Sequence, residues 1–144
     1  MLLVIGLPTF PSSEWAAEFC KRINKSEEYR RSAKGWVWPI LFTVVDLPDE
    51  LKRIYGEWAG IYIDLKDGEC IDVKFVFEGD SVDAPFVITG SYKDWMDVIE
   101  KGMNPVNALV RRKIRLVKGN FSTILRYPKA AIELVNIAKE VGLD

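Results

Sequence analysis

The chain has 144 residues, of which 49% are hydrophobic and 12% aromatic, including five Trp; this is enough apolar material for one domain with a sizeable core and too much for a disordered segment. Twenty Lys and Arg against twenty-one Asp and Glu leave a net charge of −1, so no global field draws the chain to nucleic acid or to an anionic membrane. His is absent, which removes the commonest general base and the commonest metal ligand together.

The opening MLLVIGLPTFP is apolar, but it lacks a basic n-region, is cut by Gly6, Pro8 and Pro11, and falls short of the roughly 20 residues that span a bilayer. It reads either as an arm (residues 1–11) packed on a domain (12–144), or as an exposed segment that touches a membrane surface or a second copy. Ser12 or Ser13 can cap a helix in which Trp15, Phe19 and Ile23 fall four apart, with Ala16 and Cys20 widening the stripe. That helix is expected to fade in the charged run 25–31. Residues 36–45, WVWPILFTVV, read as a strand buried on both faces, in which Pro39 demands a bulge or an edge.

A short connecting helix over Asp49–Tyr55 precedes a hairpin: residues 60–65 and 69–78 flank an Asp67-Gly68 turn. In its second strand Ile71, Val73, Phe75 and Phe77 should face the core, while Asp72, Lys74 and Glu78 face water. After a strand at 84–89, Ser91 and Asp94 are spaced as a capping box for a helix carrying Tyr92, Trp95, Met96 and Ile99 on one face. Asn104 and Pro105 repeat the logic, cap then first helical residue, for a helix through Val110. A strand at 114–117 leads to a final helical region from Asn120, broken or restarted at Pro128, with Ala131, Leu134, Ala138 and Val141 as its buried stripe.

Chemistry is scarce in this pattern. No Ser or Cys sits in a nucleophile-elbow sequence, no glycine-rich phosphate loop appears, and Asp64, Asp72 and Glu78 fall on a solvated strand face. Cys20 and Cys70 lack metal-ligand spacing and read as two reduced thiols of a cytoplasmic protein. Gln is absent beside abundant Lys and Glu, a hint of a thermophilic source. Arg111, Arg112, Lys113, Arg115 and Lys118 form the one local charge anomaly. They suit the negative end of the preceding helix, at about 0.3 to 1 kcal/mol each, or they hold a phosphate or lipid headgroup. No aromatic-interleaved RNA motif accompanies them.

Thr89 and Gly90, residues 95–102, the Pro105 step into Ala108-Leu109, and the basic-hydrophobic run 114–119 stand in one order. In that order the chain resembles the sterol-carrier-protein-2 family, over roughly residues 12 to 141 and most firmly after Ala84. The resemblance implies an α+β single domain, with a mainly antiparallel sheet of about five strands covered by helices in the order α-β-β-β-β-α-α-β-α. It also implies an internal hydrophobic tunnel that binds or transfers an apolar small molecule (fatty acid, fatty acyl-CoA, isoprenoid or sterol-like lipid), with no catalysis, cofactor or metal. On that reading Trp36, Trp38, Phe42, Phe75, Phe77, Phe86 and Trp95 wall the tunnel. Met96, Met103, Leu109, Ile124 and Leu125 close it from the helical side, since Met adapts to variable ligand shapes. Arg111, Arg112 and Lys113 would grip an anionic headgroup. Nucleic acid is not an expected partner; transient membrane-surface contact and a homodimer are. Two alternatives share the pattern: a cavity-less interaction or dimerisation module, and an accessory acyl-CoA-binding domain.

Overall fold

A computed structural model describes residues 9–143, so the expected N-terminal arm lies outside the described residues except at its end, where Phe10 and Pro11 are buried. The elements in chain order are α1 (Ser13–Ile23), α2 (Glu27–Ser32), β1 (Ile40–Val45), α3 (Asp49–Tyr55), β2 (Trp58–Lys66), β3 (Glu69–Phe77), β4 (Phe86–Ser91), α4 (Tyr92–Glu100), α5 (Pro105–Val110), β5 (Arg115–Lys118), α6 (Phe121–Ile124) and α7 (Pro128–Val141). The strands form one sheet in the order β3-β2-β1-β4-β5. Only β1 and β4 run parallel; the other neighbours are antiparallel, as expected for the α+β class.

Local chemistry explains most boundaries. The side chains of Ser12, Ser26, Ser91, Asn104 and Asn120 each accept an N–H from the first turn of the helix they precede, satisfying donors that the helix itself cannot. Ser26 is the reason the charged run does not simply end α1. It starts a second helix, anchored by one buried side chain, Tyr29, which corrects the expected fade. β1 begins at Ile40 rather than at residue 36, because Pro39 has no N–H to give a ladder. It is the central strand, and Ile40 and Leu41, on opposite faces, are both buried as expected.

The β2–β3 register shifts between Asp64 and Leu65: Asp64 pairs with Asp72 and Leu65 with Cys70, leaving Ile71 as the extra residue of a bulge. Ile71 is therefore exposed, against expectation. The bulge also breaks the strand's alternation, so Cys70 points to the helical side while Asp72 points away. There Cys70 forms a disulfide with Cys20 of α1. The expectation of two reduced thiols fails here, since a pairing across 50 residues depends on a bulge that spacing does not reveal.

The helices cover one face of the sheet, on which Ile40, Phe42 and Val44 of β1, Ile61, Ile63 and Leu65 of β2, and Phe86 and Ile88 of β4 build the main core. α7 runs through this layer in contact with α1, α2, α4 and α5, and the Trp15 indole donates to the Gly142 carbonyl at 2.7 Å. On the opposite face Leu41, Val76 and Ala84 form a small second cluster beneath Val82, Trp58 and Tyr62. The β2–β3 turn has positive φ at both Asp67 and Gly68, the mirror-type turn that matches strand twist. Its tip presses on α2: a Cβ at Gly68 would stand 2.7 Å from the Arg30 Cα and carbonyl oxygen. Asp67 N–H donates to the Trp36 carbonyl at 2.8 Å, and the Asp67 carboxylate accepts from Gly35 N–H at 2.9 Å.

Candidate functional site

Phe42 sits mid-way along the central strand on the helix-covered face, yet it is only half-buried, because it borders empty space. A cavity of about 80 Å³ lies over β1 and β4, floored by Ile40, Phe42, Phe86 and Ile88. Tyr29 and Trp36 close one end, and Leu109, Ile114, Ile124, Tyr127, Ala131 and Leu134 cover it. A second cavity of about 60 Å³ lies towards α1, between Phe10, Trp15, Phe19, Val44 and Ile61. Phe42, Trp95, Leu134 and Val135 line both, and so form the partition between them.

The walls are apolar because their polar atoms are used up. The Trp95 indole N–H donates to the Thr43 carbonyl at 2.9 Å and that of Trp36 to the Trp38 carbonyl at 2.8 Å. Two phenols, of Tyr29 and Tyr127, are the remaining polar side chains of the larger cavity. Burial pushes the Tyr29 phenol far above its ordinary value, so it stays protonated at any physiological pH. Half-buried Pro105, Leu109, Tyr127 and Ala131 mark the side on which the cavity approaches solvent.

Of the residues expected in a tunnel wall, Trp36, Phe42, Phe86, Trp95, Leu109 and Ile124 meet at the cavity. The others do not. Phe75 and Phe77 pack edge-on against Tyr55 of α3, with ring centroids 4.9 and 5.5 Å away, on the edge strand β3 beyond the cavity. Trp38 packs edge-on against Trp36 and Phe86 as a second layer. Met96 and Met103 pack on the core from outside the cavity, and Leu125 is exposed, since the one-turn α6 turns Ile124 inward instead. Sequence reasoning missed Tyr29 and Tyr127. The available signal was a single aromatic inside each of two otherwise polar stretches, KSEEYRRS and RYPK.

The basic cluster divides. Lys113 Nζ lies 3.2 Å from both Asp94 Oδ1 and Asp97 Oδ2 of α4. These hydrogen bonds, Asp94 first, raise its pKa, and the Lys113 ammonium in turn holds Asp97 below the usual carboxylate value. Lys113 thus ties the end of α5 to α4. Arg111 and Arg112 are exposed; Arg111 caps α5 through its backbone, and Arg112 takes a positive φ of 60°. Among the described residues no group of three or more His, Cys, Asp or Glu is placed to hold a metal, and no helix is long and apolar enough to cross a membrane.

Residues 17–131 match the family model described as the SCP-2 sterol transfer family. The chain belongs to that family. The family is described by sterol transfer, and two solved structures are similar over most of their length. A crystal structure of sterol carrier protein 2 is 32% identical, with 90% of this chain and 96% of that one covered at a TM-score of 0.79. A solution structure of the hypothetical protein TT1886 from Thermus thermophilus, described as a candidate sterol carrier protein, is also 32% identical, with 96% and 93% covered at 0.82. Sterol carrier protein 2 from Yarrowia lipolytica, at 21% identity, 95% and 98% coverage and a TM-score of 0.54, shares the SCP-2 fold. The curated proteins contain no significant match.

Proposed function

We propose that this protein is a non-catalytic carrier that holds one apolar molecule, a fatty-acyl, isoprenoid or sterol-like lipid, between the sheet and the helices α4, α5 and α7. The supporting observation is the pair of adjoining apolar cavities sharing Phe42, Trp95, Leu134 and Val135 as their partition. As they stand they are small. A dry cavity of about 150 Å³ accommodates benzene and lipid-sized pockets start near 300 Å³, so admitting a chain requires the partition to open and join the two spaces. The driving force is ample: sixteen methylenes at roughly 0.8 kcal/mol each amount to about 13 kcal/mol before the entropy costs of binding. The acyl-CoA alternative loses support because Lys113, one of the three cations assigned to the headgroup, is already paired with Asp94 and Asp97. We infer a single domain at 12–144, onto which the described end of the arm packs through the buried Phe10 and Pro11.

Two features taken together support a reading of the compartment. A disulfide is rare in the cytosol of mesophiles but common inside hyperthermophiles, and absence of Gln fits the same source; we infer a cytoplasmic protein of a thermophile.

The test is native mass spectrometry of the purified protein with organic extraction of whatever co-purifies, followed by titration with a fluorescent acyl probe. Ala131→Leu, which adds three carbons to the cavity roof, is expected to abolish probe binding without lowering the melting temperature. A protein that retains nothing and binds no probe in either form would be an interaction module instead.

A further inference from the structure

Tyr29 is 1% exposed, lines the end of the larger cavity, and has no hydrogen-bond partner for its hydroxyl among the described residues. Yet no side-chain oxygen that is sealed from all space lacks a partner there. The Tyr29 oxygen therefore keeps accessible surface, and the larger cavity is an empty space that Tyr29 lines. A neutral donor and acceptor thus stands, with Trp36, in the lining of an otherwise apolar chamber.

No cation accompanies it. The cavity is lined by apolar side chains and two phenols, while Arg111 and Arg112 face solvent and Lys113 is engaged by Asp94 and Asp97. A carboxylate carried to Tyr29 would be buried without a counter-charge, at a cost of several kcal/mol for such an ion. An alcohol suffers no such penalty and completes the unmet hydrogen bond of the phenol.

We infer that Tyr29 is the head-group contact of the ligand, and that it makes this protein selective for a lipid alcohol, bound hydroxyl-first, over the corresponding carboxylate. This inference rests on the carrier reading above and narrows it to neutral-headed lipids. An anionic lipid entering the same cavity is expected to keep its head in solvent rather than bury it at Tyr29.

The experiment compares three sixteen-carbon compounds, hexadecan-1-ol, hexadecane and palmitate, by displacement of a bound fluorescent probe at pH 8 from the wild-type protein and from Tyr29→Phe. The expected result is that the preference for hexadecanol over hexadecane falls about tenfold in Tyr29→Phe, the worth of one net hydrogen bond, while palmitate binding does not change. An unchanged ratio of hexadecanol to hexadecane overturns the inference and leaves the carrier reading standing. Failure of the wild type to bind any of the three overturns both. Thermal unfolding of the same variant supplies a second readout. An unpartnered hydroxyl predicts equal or higher stability on its removal; a marked loss of stability means that the hydroxyl serves the fold, and overturns the assignment.

Discussion

The two sides of the helical layer are built differently. Towards the β3 edge, α1 is joined to the sheet by the Cys20–Cys70 disulfide, and its Ile23 is buried, as are Ile63 and Leu65 of β2, each with no exposed surface. Towards β4 and β5 the cover consists of the six-residue α5, the four-residue α6 and the start of α7, resting on a strand only four residues long whose register is irregular. One side is a wall and the other a set of short pieces. Enclosing a variable apolar guest needs both: a fixed reference surface and a cover whose segments shift independently, because short elements with few buried contacts open at lower free energy than the core.

This contrast is open to attack, and the largest effect is expected at the disulfide. Closing a loop across 50 residues removes chain entropy worth about 4 kcal/mol, so Cys20→Ser combined with Cys70→Ser should lower the unfolding free energy by roughly that amount in chemical denaturation. If the wall is the reference surface, this variant should still bind the acyl probe at temperatures where it remains folded. Next in size is a matched pair of truncations. Ile63→Ala, within the wall, should cost about 4 kcal/mol, whereas Leu134→Ala, beside space already empty, should fall near 2 kcal/mol and speed probe entry. Equal losses at the two positions would contradict a yielding cover.

The smallest effect concerns the tie between α4 and the end of α5. Asp97 is held below its ordinary value of 3.8, so it contributes stability that is present above that pH and lost as pH falls through its folded value. Lys113 is raised above 10.5, so its contribution is present below that pH and lost as pH rises through its own folded value. Lys113→Met should therefore shift the denaturation midpoint slightly at pH 7 and not at all well below pH 3.8. A midpoint difference that persists in acid would mean that Lys113 acts through packing of its stem rather than through charge.

Much of this organisation was legible beforehand because it is local. Ser91, Asn104 and Asn120 cap where cap chemistry places them, and Asp67-Gly68 turns where two adjacent positive φ values are needed. What was not legible is what depends on register. The bulge at Ile71 changes which way Cys70 points, and only then is a bond to Cys20 available. The aromatic wall shows the same limit. Phe42, Phe75 and Phe77 look equivalent in an alternating strand pattern. Which of them meets the cavity is decided by strand order, since β1 is central and β3 lies at the edge under Tyr55. Tyr29 was hidden in a charged run, because nothing within six residues of it records that α7 and the sheet will enclose it.

The hairpin tip has a further consequence for recognition. Gly68 abuts the backbone of α2 at Arg30, one residue past Tyr29, and Asp67 holds the segment that presents Trp36. A turn that pairing rules alone would assign to strand reversal thus also sets the depth of the chamber. A side chain at position 68 would press on the backbone at Arg30, and, on the carrier reading, a substitution in an apparently ordinary surface loop is expected to be read out as a change in the chain length bound.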